Sequence, residues 1–276
     1  MKKLIFAILL FLSAILVANA KTEVVIVPLW ADSMTTNQTE QPSLHIYPAK
    51  KPCGTAIIMC PGGAYRRLSI NEKGISSIAQ WMNTLGITYA VLHYSMPHGN
   101  HSLPLADAEQ AMHIMRSRAK EWGVNPSSIG IMGASAGGHL ASTLATHYSS
   151  ADTRPDFQIL LYPTISMTEG VAFGGGRINL LGENPSKELE EKYSNELWVT
   201  SQTPKAFIAS STNDNVVLVG NSLRYYSALV KNGVSAAMHL YPTGKHGWIY
   251  KDSFIYKRDW TGELEKWLLT EVLSPN

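Results

Sequence analysis

Short apolar runs alternate with longer amphipathic segments along most of the chain. Eight runs of four to six residues are rich in β-branched side chains and end at glycine, proline or polar residues, which is typical of strands. Strands that alternate with helix-length segments indicate a mostly parallel sheet with helices on both faces, so the pattern predicts an α/β fold. The predicted strands are residues 23–27, 43–47, 55–59, 88–93, 128–132, 157–161, 206–209 and 236–241.

Helical spacing of apolar positions predicts the intervening helices. In residues 73–85, apolar side chains recur at intervals of three and four positions, and Gly86 follows as a helix end. Similar patterns predict helices at residues 105–122, 136–147, 221–231 and 252–272.

Residues 163–203 interrupt this alternation. The segment is glycine-rich at 174–176, charged between 183 and 196, and without a strand pattern. Long irregular segments in compact domains tend to be active-site lids or binding loops, so we expect a cap over the active site. An irregular surface insertion with no functional role is the alternative.

The first 20 residues have the three regions of a secretory signal peptide. Two lysines precede an apolar stretch over residues 4–17, and the small-residue pattern Ala-Asn-Ala ends at Ala20. The apolar stretch is shorter than the ~20 residues of a membrane-spanning helix. We therefore predict cleavage after Ala20, a single domain over residues 21–276, no membrane attachment after cleavage, and a periplasmic or extracellular location.

Charge argues against a nucleic-acid partner. Without Lys2 and Lys3, the 23 basic residues fall to 21, equal to the 21 acidic residues. A neutral chain without a basic cluster has no counterion-release contribution to nucleic-acid binding. We interpret the basic pair Arg66 and Arg67 as part of a solvated loop.

Export would permit a disulfide between the two cysteines, but their spacing argues against one. Cys53 and Cys60 flank the predicted strand 55–59. An extended strand would hold their Cα atoms about 20 Å apart, against the ~5.5 Å of a disulfide, so two free thiols are predicted.

Residues 133–137 read Gly-Ala-Ser-Ala-Gly and lie where a predicted strand passes into a predicted helix. A Gly-x-Ser-x-Gly sequence at such a junction is the nucleophile elbow of serine hydrolases, in which the glycines allow a tight turn that exposes the serine. Ser135 is therefore the predicted nucleophile.

A serine nucleophile needs a base and an acid from elsewhere in the chain. His246 is the predicted base because it follows the last predicted strand between two glycines, Gly244 and Gly247. Asp214 follows the predicted strand 206–209 and is the only acidic residue from 197 to 246, so we predict that it orients His246.

An ester hydrolase also needs backbone N–H groups that stabilise the oxyanion. Gly62 and Gly63 follow the third predicted strand and Ala136 follows the nucleophile, which predicts that their amides form the oxyanion hole. Tyr65 and Trp248 are predicted to contact substrate; a position in the core is the alternative for Trp248, since a tryptophan is at least as often a core residue. The motifs imply no metal and no cofactor.

Together these motifs resemble the bacterial exported-esterase branch of the α/β-hydrolases, related to acetyl xylan and feruloyl esterases. The resemblance implies the α/β-hydrolase fold and removal of acetyl or feruloyl groups from plant polysaccharide such as xylan. Pro61 and Asn213 depart from the histidine and aspartate that related hydrolases often carry there; the first change leaves the backbone donors intact. The motifs lie at residues 60–65, 104–108, 133–141, 213–217 and 246–248.

The prediction is therefore a serine carboxylic-ester hydrolase that acts on a small ester or an acylated polysaccharide. A prolyl-oligopeptidase-type serine peptidase shares the order of the three residues but usually carries a large extra domain. A catalytically silent binding protein on the hydrolase scaffold is a further alternative, against which the complete set of Ser135, Asp214 and His246 argues.

Overall fold

The computed structural model describes residues 24–30, 41–172 and 174–273, so the predicted signal peptide at residues 1–20 lies outside the described residues. The described chain forms one eight-stranded sheet, which confirms the predicted α/β architecture. Every strand lies within two residues of its predicted position. The strands are β1 (Val25–Pro28), β2 (Ser43–Tyr47), β3 (Ala56–Cys60), β4 (Thr88–His93), β5 (Ile129–Ala134), β6 (Phe157–Leu161), β7 (Lys205–Ser211) and β8 (Ala236–Tyr241).

The strand order across the sheet is β1-β2-β4-β3-β5-β6-β7-β8. β2 pairs antiparallel with β1 and β4, and all other pairs are parallel. The central strands β3, β5 and β6 are buried along their whole length, as expected for strands covered on both faces. Because β3 and β5 to β8 run in one direction, the loops that follow them meet at the same edge of the sheet.

Helices cover both faces of the sheet. The helices are α1 (Glu72–Thr84), α2 (Ser102–Ser117), α3 (Ala136–His147), α4 (Gly174–Leu181), α5 (Lys187–Lys192), α6 (Gly220–Lys231) and α7 (Lys257–Trp267). One apolar core includes Met112 of α2, Leu140 of α3 and Leu229 of α6. The other includes Met82 of α1 and Leu264 of α7.

Two predicted helices are shorter in the structure. The predicted helix 105–122 is divided into α2 and a separate 3₁₀ turn, Ala119–Trp122. The predicted helix 252–272 begins only at Lys257, as α7, and ends in a π turn, Leu268–Val272. Residues 248–254 form consecutive turns instead: Lys251 N donates to the Trp248 carbonyl and Phe254 N to the Lys251 carbonyl, at 2.9 and 3.2 Å. The Phe254 ring stacks on Trp248 within these turns, with centroids 4.7 Å apart.

Residues 163–203 contain α4, α5 and a short 3₁₀ turn, Asn195–Leu197, with no strand among the described residues. The Asn195 side chain donates to Ser142 Oγ and Thr143 Oγ1, at 2.7 and 3.0 Å, which fastens this segment to α3. Asn179 Nδ2 donates to the Ala64 carbonyl at 2.8 Å. The segment thus packs beside the loop after β3, and a role as a cap stays a prediction.

Within the described ranges, no helix is both long enough and apolar enough to cross a membrane.

Candidate active site

Ser135 lies in the turn between β5 and α3, with a φ of 57° that non-glycine residues rarely adopt. The flanking glycines are required by close backbone contacts. A Cβ on Gly133 would lie 2.0 Å from the Gly137 carbonyl oxygen, and a Cβ on Gly137 would lie 2.0 Å from the Cys60 carbonyl oxygen. The turn is therefore a strained elbow that only this placement of glycines permits, as the sequence predicts.

The structure brings together the three residues predicted to carry the chemistry. His246 Nε2 lies 2.8 Å from Ser135 Oγ, and His246 Nδ1 lies 2.6 Å from Asp214 Oδ2. The Asp214 side chain is 1% exposed and that of His246 is 18% exposed, so the aspartate is enclosed while the imidazole reaches the surface of a cavity. With Nδ1–H donating to the carboxylate, Nε2 is free to accept the serine proton.

Local hydrogen bonds fix the Asp214 carboxylate. Its Oδ1 accepts from the backbone N–H groups of Val216 and Val217 at 2.9 and 3.0 Å, while Oδ2 faces His246. The neighbouring Asn213 forms no side-chain hydrogen bond with His246 among the described residues; its Oδ1 accepts from Lys245 N at 2.9 Å. The asparagine at position 213, where related hydrolases often carry aspartate, therefore links the loop after β7 to the loop after β8. Asp214 is the carboxylate next to the imidazole.

The predicted oxyanion donors surround Ser135. Gly62 lies against the elbow, because a Cβ there would be 3.1 Å from Ser135 Cβ. Gly63 has a φ of 130° and supports a turn in which its carbonyl accepts from Arg66 N and Arg67 N, at 3.1 and 3.3 Å. Within the described residues, the N–H groups of Gly62, Gly63 and Ala136 donate to no protein acceptor. They are therefore available to an oxyanion.

Ser135 and His246 line a cavity of about 450 Å³, within the range of small-molecule sites. Several of its lining residues are not predicted from the sequence, among them Tyr162, whose ring centroid lies 4.8 Å from that of His246. Tyr162 directly follows β6, so the rule that ligands bind at the carboxyl ends of parallel strands could have identified it. Other lining residues that were missed are Arg66, Arg67, Val216, Ile249 and Tyr250.

Tyr65 and Trp248 do not have the position predicted for substrate contact, and neither lines this cavity. Tyr65 is 2% exposed and its hydroxyl lies 2.8 Å from His139 Nδ1. Trp248 is 1% exposed and packs on Tyr162 and Phe254. The prediction that they contact substrate is therefore wrong for this cavity: both side chains are buried against neighbouring rings and do not reach its surface.

A second cavity of about 400 Å³ adjoins the first, and Ile249 and Tyr250 line both. The second cavity is also lined by the indoles of Trp81 and Trp260. In the portion of the chain that is described, no group of three or more histidine, cysteine, aspartate or glutamate side chains could hold a metal ion.

Both cysteines are free thiols, with Cys53 exposed and Cys60 buried at the end of β3. Burial raises the pKa of the Cys60 thiol far above its ordinary value, so the thiol stays protonated. A neutral, enclosed thiol is unsuited to act as a nucleophile.

The chain resembles known hydrolases over most of its length. The sequence profile of a family described as the alpha/beta hydrolase fold matches residues 62–250. An acetylxylan esterase from Xylanibacter ruminicola is 41% identical over 223 residues, which is 79% of this chain and 46% of that protein. The endo-1,4-beta-xylanase B of Butyrivibrio fibrisolvens is 31% identical over 218 residues, 74% of this chain and 33% of that protein. The chain thus spans less than half the length of these relatives.

A solved structure gives a more complete match. The acetyl ester-xyloside bifunctional hydrolase from Caldicellulosiruptor lactoaceticus superposes with a TM-score of 0.79 at 33% identity, covering 89% of this chain and 96% of that one. A carboxylesterase from Lactobacillus plantarum has the same fold, with a TM-score of 0.75 at 20% identity, over 92% of this chain and 99% of that one.

Proposed function

Because the chain belongs to the α/β-hydrolase family, we propose that it is a serine carboxylic-ester hydrolase that removes acetyl groups from xylan or xylan fragments. The observation that carries the proposal is the hydrogen-bonded series from Ser135 Oγ through His246 to Asp214, at the wall of an open cavity.

In the first half of the proposed reaction, His246 Nε2 takes the proton of Ser135 Oγ as the oxygen attacks the carbonyl carbon of the ester. The carbonyl oxygen becomes an oxyanion, which the N–H groups of Gly62, Gly63 and Ala136 stabilise. The bond to the alcohol then breaks, and the imidazolium of His246 gives its proton to the departing oxygen. Asp214 stabilises the imidazolium throughout. The product is an acyl-Ser135 ester and a free hydroxyl group on the sugar.

In the second half, water attacks the acyl carbon and His246 accepts a proton from it. A second oxyanion forms at the same amides and collapses, and His246 returns the proton to Ser135 Oγ. The acid is released and the enzyme is restored. Each oxyanion-hole donor is worth about 3 kcal/mol to such a step.

The substrate class rests on what similar proteins are named for: an acetylxylan esterase, an endo-1,4-beta-xylanase and an acetyl ester-xyloside bifunctional hydrolase. The geometry suits this class. The cavity at Ser135 can take an acyl group and a sugar ring, and the adjoining cavity beyond Ile249 and Tyr250 offers room for further sugar units. The predicted signal peptide supports export, which would place the enzyme where polymeric xylan occurs.

Turnover by the purified full chain tests the proposal. The substrates are 4-nitrophenyl acetate, an acetylated xylo-oligosaccharide, a feruloyl ester and a chromogenic peptide. We expect acetate release from the first two, and a loss of at least about a thousandfold in kcat for Ser135→Ala, because the nucleophile is removed.

Ser127→Ala is the matched control, since Ser127 is an exposed serine outside the cavity. Full esterase activity in Ser135→Ala would contradict the mechanism. Turnover of the peptide alone would favour the peptidase alternative, and inactivity on the whole panel would favour a silent binding scaffold.

A further inference from the structure

Two arginines that the catalytic chemistry does not use line the cavity around Ser135. Arg66 and Arg67 follow the turn at Gly63, and both are exposed. No aspartate or glutamate is among the residues that line this cavity. The remaining lining side chains, apart from His246, are apolar, hydroxylic or glycine. The cavity is therefore bordered by two permanent positive charges with no opposite charge on its wall.

Neither guanidinium is neutralised by a neighbour. In the described parts of the chain, Arg116, Arg118 and Arg177 pair with carboxylates. Arg66 and Arg67 have no such partner there, and their side chains donate no hydrogen bond to the described protein. Because these two neighbouring residues of the chain have no carboxylate partner among the described residues, an anion bound in the cavity would supply the missing opposite charge.

The backbone that carries these arginines is fixed. Arg66 N and Arg67 N both donate to the Gly63 carbonyl, and Ser69 N donates to the Gly62 carbonyl at 2.8 Å. Asn179 holds the adjoining Ala64 carbonyl. The arginines thus start from the same turn as the proposed oxyanion donors and line the same cavity as Ser135, so an anion that they bind would share that cavity with the ester.

We propose that Arg66 and Arg67 bind a carboxylate group of the substrate, carried by a uronic acid unit next to the acetylated sugar. A guanidinium and a carboxylate match in shape and charge, and can form two parallel hydrogen bonds. The inference rests on the proposed function: an acetyl group carries no carboxylate, so the charge has to lie on the sugar side of the ester. The substrate class is then acetylated, uronic acid-bearing xylan.

A matched pair of oligosaccharides tests this inference. One is an acetylated xylo-oligosaccharide with a glucuronic acid side group, and the other is the same compound with the carboxyl group reduced to an alcohol. For the unmodified enzyme at low ionic strength, we expect kcat/KM to be about tenfold higher on the acid, because a guanidinium binds a carboxylate through charge-assisted hydrogen bonds that the alcohol cannot form. The preference should shrink as salt is added.

In the double variant Arg66→Gln/Arg67→Gln, the ratio of the two kcat/KM values should fall towards one, mainly through KM. The matched control is Arg224→Gln/Arg258→Gln, which removes the same net charge from two exposed positions outside both cavities. The control should keep the preference, which separates local binding from attraction by the overall charge.

A ratio near one in the unmodified enzyme, or an unchanged ratio in the Arg66→Gln/Arg67→Gln variant, would overturn the inference while ester turnover still supports the proposed function. A second pair, the hemisuccinate and butyrate esters of one alcohol, locates the charge. A preference confined to the hemisuccinate would overturn its placement on the sugar. If the enzyme turned over no ester at all, the proposed esterase function itself would be contradicted.

Discussion

At Asp214, both carboxylate oxygens have a defined partner: Oδ1 accepts from two backbone amides and Oδ2 faces His246 Nδ1. This arrangement predicts the effect of Asp214→Asn. The amides would hold the asparagine oxygen, so its NH₂ group would point at His246 Nδ1. The imidazole would then carry its proton on Nε2 and could not accept one from Ser135. We expect kcat for 4-nitrophenyl acetate to fall by about a hundred- to ten-thousandfold.

Asp152→Asn is a close control for this substitution. Asp152 also lies 2.6 Å from a histidine Nδ1, that of His113, but at an exposed site. Its replacement should leave kcat unchanged. Equal losses in the two variants would show that the Asp214 effect is not specific to the site.

His139 lies one helical turn after Ser135 and is completely buried. Its Nε2 lies 2.8 Å from the Tyr193 carbonyl and must donate, so Nδ1 accepts from the Tyr65 hydroxyl. Burial lowers its pKa to about 4, from an ordinary value of 6.5. Between these values the unfolded chain binds a proton that the folded chain does not. The free energy of unfolding should therefore fall as pH drops from 6.5 to 4, by roughly 3 kcal/mol from this group.

Urea denaturation across that pH range measures the loss of stability, and NMR of the folded protein identifies the group. The His139 ring should remain neutral, with its proton on Nε2, at pH 5.5. A protonated His139 ring in the folded protein at that pH would contradict the assignment.

Some residues of the candidate site can be predicted from their local sequence, and others cannot. The sequence predicts that Ser135, Asp214 and His246 lie together, because each follows a recognisable strand and stands in a characteristic turn, and the structure places them within hydrogen-bond distance. Tyr65 and Trp248 were misassigned, because whether an aromatic ring faces a cavity or the core depends on neighbours distant in sequence. The sequence predicts that Arg66 and Arg67 belong to a solvated loop, whereas the fold places them at the wall of the cavity.

Two helices of the same fold should respond in opposite ways to the same substitution. Gly262 is exposed in α7 and a Cβ there would meet nothing within 4 Å, so Gly262→Ala should stabilise the protein by about 0.5 to 1 kcal/mol. Gly137 is buried in the first turn of α3, where a Cβ would collide with the Cys60 carbonyl. Gly137→Ala should therefore destabilise it by about 1 to 3 kcal/mol.

Urea denaturation of both variants at one pH measures the two changes. Stabilisation by Gly137→Ala would show that α3 can move away from β3 without cost, which contradicts the close packing described for the elbow.

The positions of strands and helices were predicted more accurately where the burial of apolar residues alone determines them. The parallel strands are nearly continuous apolar runs, so their positions follow from composition. The beginning of α7 could not be found this way. Phe254 stacks on Trp248 within the turns that precede α7, and the spacing of apolar residues does not distinguish that stacked turn from a first helical turn.

At the scale of the whole molecule, export is the prediction to test. If the first 20 residues are a signal peptide, the protein recovered from an expressing bacterium should begin at Lys21 and lie outside the cytoplasm. Intact-mass measurement of each cell fraction decides this. Ala20→Arg should block cleavage and keep the full-length mass. A mature protein that still begins at Met1 would contradict the prediction.

The burial of Cys60 has a consequence for following the molecule in time. Its thiol is enclosed at the end of β3, directly before the turn at Gly62 and Gly63, and its own carbonyl lies against Gly137 of the elbow. A labelling reagent can reach it only when this part of the sheet opens, whereas Cys53 at the surface reacts at once. The labelling rate of Cys60 therefore reports how often the centre of the sheet opens, and the labelling rate of Cys53 in the same chain serves as the reference for the reagent.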